Sequence, residues 1–338
     1  MRMRQDFGRL PDGTRIEEVR LAAGGMQASV LNWGAVLRDL VVPDRAGAPR
    51  RVVLGLATLD DYLVHSRNFG AICGRVANRI GNARFRLDGV EHRLTVNHRN
   101  RHILHGGASA LGRRPWTIVE ATPLGVTLEV TSPAGEDGFP GTITARCRYA
   151  LDPPGGLRVT LTATTDAATP ISLAHHSYWN LDGSRDIAGH RLRVAADFFT
   201  PTDADGIPTG EVRSVAATPY DFRAGRALGG PGAATPGYDM NLVLARAGRP
   251  GLFEVAVLEA PAGDLALSIA TTAPGLQVFD GHTLNLPVAG LHGCAYGPRA
   301  GVALEPQLFP DAVNQPHFPS AILRSGETFM QETIFRIV

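Results

Sequence analysis

The strongest constraint on this chain is period-two alternation in short runs, interrupted by turn residues at close intervals. Ile143 to Tyr149 alternates apolar and polar side chains, as do Leu157 to Leu161, Val126 to Val130 and Leu265 to Ile269. Such runs put one face on a core and the other toward water or polar neighbours. Phe85-Arg86-Leu87 and Val90 to Leu94 flank Asp88-Gly89, a two-residue loop of the kind that closes a β-hairpin. Pro153 to Gly156, Asp182-Gly183, Asp205-Gly206 and Gly229 to Gly232 supply further turns. With 39 glycines and 24 prolines among 338 residues, long helices are not expected. Short helical turns are predicted near Leu59 to Leu63 and Pro310 to Val313. Many short strands with regular punctuation indicate an all-β sandwich or barrel. No internal repeat or composition shift divides the chain, and the Gly/Pro-rich stretch from Gly225 to Gly237 reads as a surface loop. Residues 1–338 are expected to form a single domain, a size that all-β folds allow.

Charge excludes several partners. The 33 basic and 32 acidic side chains leave a formal net charge of +1, so nothing favours nucleic acid or an anionic membrane. Every basic residue is arginine, which excludes lysine Schiff-base chemistry and a Walker-type phosphate loop. Cys73, Cys147 and Cys294 are too sparse and widely spaced for a disulfide framework or a Cys-x-x-Cys metal site. The first residues lack an apolar signal region, and no run of about 18 apolar residues could span a membrane. A cytoplasmic protein with reduced cysteines is expected.

A few polar groups stand where chemistry could use them. His105 precedes Gly106-Gly107, whose bare backbone lets a ligand approach the imidazole; a solvated turn histidine is the other reading. His175 and His176 must point to opposite faces of a strand, so at most one enters a shared cleft. Aromatic Tyr178 and Trp179 follow at once and suit the C–H face of a sugar ring. Asp239 sits in Gly237-Tyr238-Asp239-Met240-Asn241. Glu305 closes the apolar run Val302-Ala303-Leu304, where burial would raise its pKa toward a range useful to a general base; a solvated acid at a strand end is the alternative. Arg75 and Arg79 offer forked donors for hydroxyl or carboxylate oxygens, or simple ion pairs. His98, His102 and His105 would align on a helix, but that stretch is polar and turn-like, so no metal site is expected. With no Gly-x-Ser-x-Gly and no cysteine beside a histidine motif, the inventory fits proton transfer on a neutral polyol.

In family order, these motifs resemble the aldose 1-epimerase (galactose mutarotase) family. The stretches are Asn68 to Ala71, Gly74 to Ile80, Leu104 to Gly107, Glu136 to Gly141, His176 to Leu181 and Ile207 to Glu211. They continue with Tyr238-Asp239, Pro274 to Gln277, Leu304 to Gln307, Pro310 to Pro316, Phe318 to Ser320 and Leu323 to Glu327. The resemblance covers nearly the whole chain. It implies a large single-domain β-sandwich of the galactose mutarotase-like supersandwich type, binding a free aldose of the galactose or glucose class, as a monomer or homodimer. It implies no cofactor and no metal. Carried onto this chain, Glu305 is the general base at the anomeric hydroxyl and His176 the general acid at the ring oxygen. Asn78, Arg79, His105, Asp239 and Gln277 would bind the sugar. Three positions depart from the family pattern. His175 stands where Asn is usual, Met240 where His is common and Pro306 where Thr is common; the first two are expected to reshape the pocket. A non-catalytic sugar-binding protein on the same fold, or another carbohydrate enzyme using Asp239 and Glu305 as a carboxylate pair, are the competing readings.

Overall fold

Three antiparallel sheets share the largest apolar core in a computed structural model that describes residues 3–66, 68–230, 233–234, 237–248 and 250–338. The largest sheet has nine strands. Its central members are Gly125–Ser132, Ile143–Asp152, Gly156–Thr165 and Phe329–Ile337, and the alternating runs read from sequence account for three of these. Along Ile143–Asp152 the odd-numbered side chains are buried through Leu151, and Arg146 and Arg148 face out. The short Ala266–Thr271 strand follows the same rule.

A six-stranded sheet carries the polar face that lines the candidate site. Its spatial order is Tyr178–Trp179, Val302–Gln307, Gly275–Phe279, Asp239–Val243, Phe198–Thr200 and Arg213–Ser214. One face delivers Met240, Leu242, Leu276, Val278, Val302 and Leu304 to the core shared with the nine-stranded sheet. The N-terminal sheet, running from Arg4–Arg9 to Pro49–Arg51, adds Val19, Leu21, Val30 and Leu40 to that core. Full burial of each such side chain contributes about 1.5–3 kcal/mol.

Local chemistry explains the punctuation. Leu87 pairs with Val90 across Asp88-Gly89, and both turn residues have positive φ, 49° and 84°, as a type I′ hairpin requires. The helix Leu59–His65 starts at a capping box made by Thr58 and Asp61. A 3-10 turn covers Ala312–Asn314. Within the Gly/Pro-rich stretch, Arg226–Ala227 forms the edge strand of the large sheet. Pro231, Gly232, Thr235 and Pro236 lie outside the described residues. No helix among the described residues is long and apolar enough to cross a membrane.

Candidate active site

The face of the six-stranded sheet opposite the core is polar. Asn241, Gln277 and Glu305 stand in one cross-strand row, because Asn241 pairs with Gln277 and Gln277 with Glu305. Asp239 and Phe279 form the next row toward solvent. Above this face is a cleft of about 200 Å³ lined by Asn78, Arg79, His105, His176, Asp239 and Glu305, among others. Gln277 stands behind Asp239, buried, and donates from Nε2 to Asp239 Oδ1 at 2.6 Å.

Two loops bring the remaining groups. Residues Arg79–Ile80 and Ile103–Leu104 pair as a short ribbon, and the His105 backbone N–H donates to the Asn78 carbonyl. In return the Asn78 N–H donates to His105 Nδ1 at 3.1 Å. That bond assigns the tautomer: Nδ1 accepts, so neutral His105 carries its proton on Nε2. Burial, and then the neighbouring His176, push the His105 pKa well below the usual histidine range. Asp311 anchors the ribbon from below by accepting the Gly81 N–H at 2.9 Å. Arg79 is held by Asn78 Oδ1 at 3.3 Å and Asp239 Oδ2 at 3.1 Å, and its Nε donates to His98 Nε2 at 3.4 Å.

At the cleft floor, His176 Nε2 stands 3.6 Å from Glu305 Oε1, with both side chains almost fully buried. Burial pushes Glu305 well above the usual carboxylate range, reinforced by Asp239 and opposed by Arg79. Burial also pushes His176 down to about 4. The sequence argument leads one to expect a protonated histidine beside an ionised carboxylate. Burial at the cleft floor instead favours the neutral forms of both, because desolvation penalises each charge. Charged or neutral, the pair holds the same single proton.

Several sequence expectations resolve plainly. His175 turns away from its neighbour as strand geometry demands. It packs on Tyr149 and Phe335, with Nε2 3.0 Å from Ser177 Oγ. Met240 points into the core. Neither residue lines the cleft, so the expectation that they reshape the pocket is corrected: on their strands they face the other way. Pro306 also faces away, its carbonyl accepting from Gln331 Nε2, on the side of the strand where no N–H is needed by Gly275–Phe279. Arg75 is not a sugar ligand. It is buried and bonds the carbonyls of Ser132, Pro133, Pro140 and Gly141, so it fastens loops together. His98, His102 and His105 do not share a helix face; His98 and His102 form a β-bridge, and His102 Nδ1 accepts the Asn82 N–H. Asn68, Arg113, Tyr178 and Phe279 line the cleft as well. Asn68, which opens a family-like stretch, and Tyr178, close after His176, carried a sequence signal for this; Arg113 and Phe279 did not.

Comparison with known proteins shows the family. The family model described as Aldose 1-epimerase matches residues 17–336. The chain belongs to the aldose 1-epimerase family. Galactose mutarotase of Rattus norvegicus is 38% identical over 335 residues, covering 98% of this chain and 96% of the relative. Aldose 1-epimerase of Escherichia coli strain K12 is 33% identical over 340 residues, covering 97% of each chain. Among solved structures, the GalM/aldose epimerase homologue from C. elegans superposes with a TM-score of 0.88 at 32% identity, covering 95% of this chain and 98% of that one. Galactose 1-epimerase from Lactobacillus acidophilus NCFM shares the fold, with a TM-score of 0.84 at 24% identity, covering 99% of this chain and 98% of that one. Family membership thus places this chain among the aldose epimerases, and the β-sandwich fold agrees.

Proposed function

We propose that the protein interconverts the α and β anomers of a free aldose of the galactose or glucose class, with Glu305 as general base and His176 as general acid. The observation that carries this reading is the 3.6 Å contact between His176 Nε2 and Glu305 Oε1 on the floor of a cleft sized for one sugar ring. Ring opening needs a base at one oxygen and an acid at another oxygen on the same carbon, and two groups this close can serve both.

In the reactive complex Glu305 is ionised and His176 protonated. Glu305 takes the proton from the O1 hydroxyl, electrons move to form the C1=O1 carbonyl, and the C1–O5 bond breaks. O5 takes the proton from His176 Nε2. Rotation about C1–C2 presents the other face of the aldehyde, and closure reverses both transfers. After opening, Glu305 is protonated and His176 neutral, the forms that burial favours. Desolvation therefore lowers the energy of the ring-open state relative to the closed complex, and this difference accelerates the reaction. The sugar's hydrogen bonds compensate charge in the closed complex. Arg79 donates to sugar hydroxyls, Asp239 accepts, and His105 donates from Nε2.

Polarimetry of freshly dissolved α-D-glucose and α-D-galactose tests the reading. Relaxation to the anomeric equilibrium should be rapid with the wild type and about 10²–10⁴-fold slower with Glu305→Gln. A mutant as fast as the wild type would remove Glu305 from the chemistry. No acceleration by the wild type with hexoses or pentoses would leave a sugar-binding role.

A further inference from the structure

Behind Glu305 the polar face continues into the interior. Asn241, Gln277, Glu305 and Gln307 are each at most 2% exposed. Gln307 lies two residues beyond Glu305 on the same face, opposite Gly275. A Cβ on Gly275 would collide with Asn241 Oδ1 and crowd the Gln307 carbonyl. The glycine thus lets the Asn241 carboxamide lie over the strand beside Gln307. Five buried atoms in this group have no protein partner: Asn241 Oδ1, Gln277 Oε1, Glu305 Oε2 and both ends of the Gln307 carboxamide. The orientation of Gln277 is set by its donation to Asp239, so its oxygen is an acceptor. Asn241 Nδ2 likewise donates to Thr200 Oγ1 at 3.3 Å.

The inventory is unbalanced. With Glu305 ionised, as a general base must be, three acceptor atoms from Asn241, Gln277 and Glu305, and a fourth from Gln307, stand against one donor group, the Gln307 amide. In that state rearrangement within the protein cannot satisfy them. The species that fits must be small, neutral and able to donate twice, and buried polar groups left over by protein bonding are met by ordered water. We propose that Asn241, Gln277 and Gln307 form a buried water site behind Glu305 that holds its inner oxygen, Oε2, and so aims Oε1 at the sugar. Gln307 is the positioning residue, because it supplies the one unpaired donor group. This rests on the reading of Glu305 as the base.

The groups acting on Glu305 can be named. His176 meets it from the loop after Ala174–His175, and Asp239 and Arg79 act across the cleft. Glu305 in turn helps to raise the pKa of the buried Cys73 thiol, on the Ile72–Cys73 strand, after burial itself. None of them occupies the Oε2 side by hydrogen bonding. A Gln307→Met variant keeps the volume and removes the donors, which makes charged Glu305 less favourable. Since the Glu305–His176 pair shares one proton, fewer molecules then hold it on His176.

The pH dependence of kcat/KM reads this directly, measured by polarimetry on the full-length protein. Gln307→Met should lower the neutral plateau about tenfold and move the alkaline limb up by about one pH unit, so that mutant and wild type converge at high pH. KM should hold, and Gln307→Asn, which keeps a carboxamide, should fall between the two. A uniform loss at every pH, or an unmoved limb, would overturn the proposal. A crystal structure of the wild type at atomic resolution gives the second test: water bonded to Glu305 Oε2 and Gln307 supports it, and a dry or metal-filled site overturns it. Glu305→Gln measured in parallel separates the two readings. If that variant stays active, the base assignment fails. If it is inactive while the Gln307→Met limb stays unmoved, only the positioning role fails.

Discussion

Glu305 and His176 show one physical cause acting in opposite directions. Burial raises the Glu305 pKa and lowers that of His176, and the pair keeps one proton. A pair of this kind gives a bell-shaped profile. Below the first macroscopic pKa both groups are protonated and the base is lost; above the second both are deprotonated and the acid is lost. We expect kcat/KM to follow that bell, and His176→Gln to lower the plateau about 10²–10⁴-fold with little change in thermal stability. A profile flat from pH 4 to 10 would contradict this assignment. His105 adds a neutral donor rather than a charge, because Asn78 engages its Nδ1. The sequence supplied the identities of these groups through motif order. It did not supply their protonation states, which depend on how dry the cleft is.

At the scale of elements, a turn completes the seating of the arginine that the Arg79–Ile80 strand presents. The Asp203–Ile207 turn lies against Arg79, and the space at Gly206, whose φ is +79°, is taken by the guanidinium. Arg99 and His102 fasten that turn through Asp205 at 3.0 Å and 3.3 Å. Gly206→Ala should displace Arg79 from Asp239. The expected result is a loss in kcat/KM of about tenfold or more, measured by polarimetry, with the protein still folded. Arg75 works on another set of loops. Its removal in Arg75→Met leaves four carbonyls without their donor, two of them on the buried residues Ser132 and Gly141, which should cost about 3 kcal/mol or more. Denaturant unfolding checks this. An unchanged midpoint would mean that other donors replace the guanidinium. Alternation in sequence disclosed the strands because a strand's two faces meet different solvents. It could not assign Arg75, since a buried staple and a ligand-binding arginine have the same local sequence.

For the molecule as a whole, buried histidines couple folding to pH. His98, His105, His175, His176, His190 and His292 all have lowered pKa values, with burial as the leading cause. His175 is lowered to about 3. As pH falls below 6.5 the unfolded chain takes up protons that the folded chain refuses, so stability falls, by about 2 kcal/mol at pH 5 for His175 alone. Glu305 and Asp311 act with the opposite sign, since their raised values favour proton uptake in the folded state. Six histidines outweigh two carboxyl groups, so the thermal midpoint should drop steadily from pH 7 to pH 5. A constant midpoint across that window would refute the balance. The sequence by itself determined the all-β class and the Asp88-Gly89 hairpin, because strand period and turn stereochemistry are local properties, and the family resemblance supplied the seven proposed site residues. Only the tertiary structure decided that His176 meets Glu305 while His175 and Met240 face the core, that Arg75 is a staple, and that Gln307 lies buried beyond Glu305 on the same face. Those outcomes depend on which strands lie side by side and which groups lose their water, and both are settled by contacts between residues far apart in the chain.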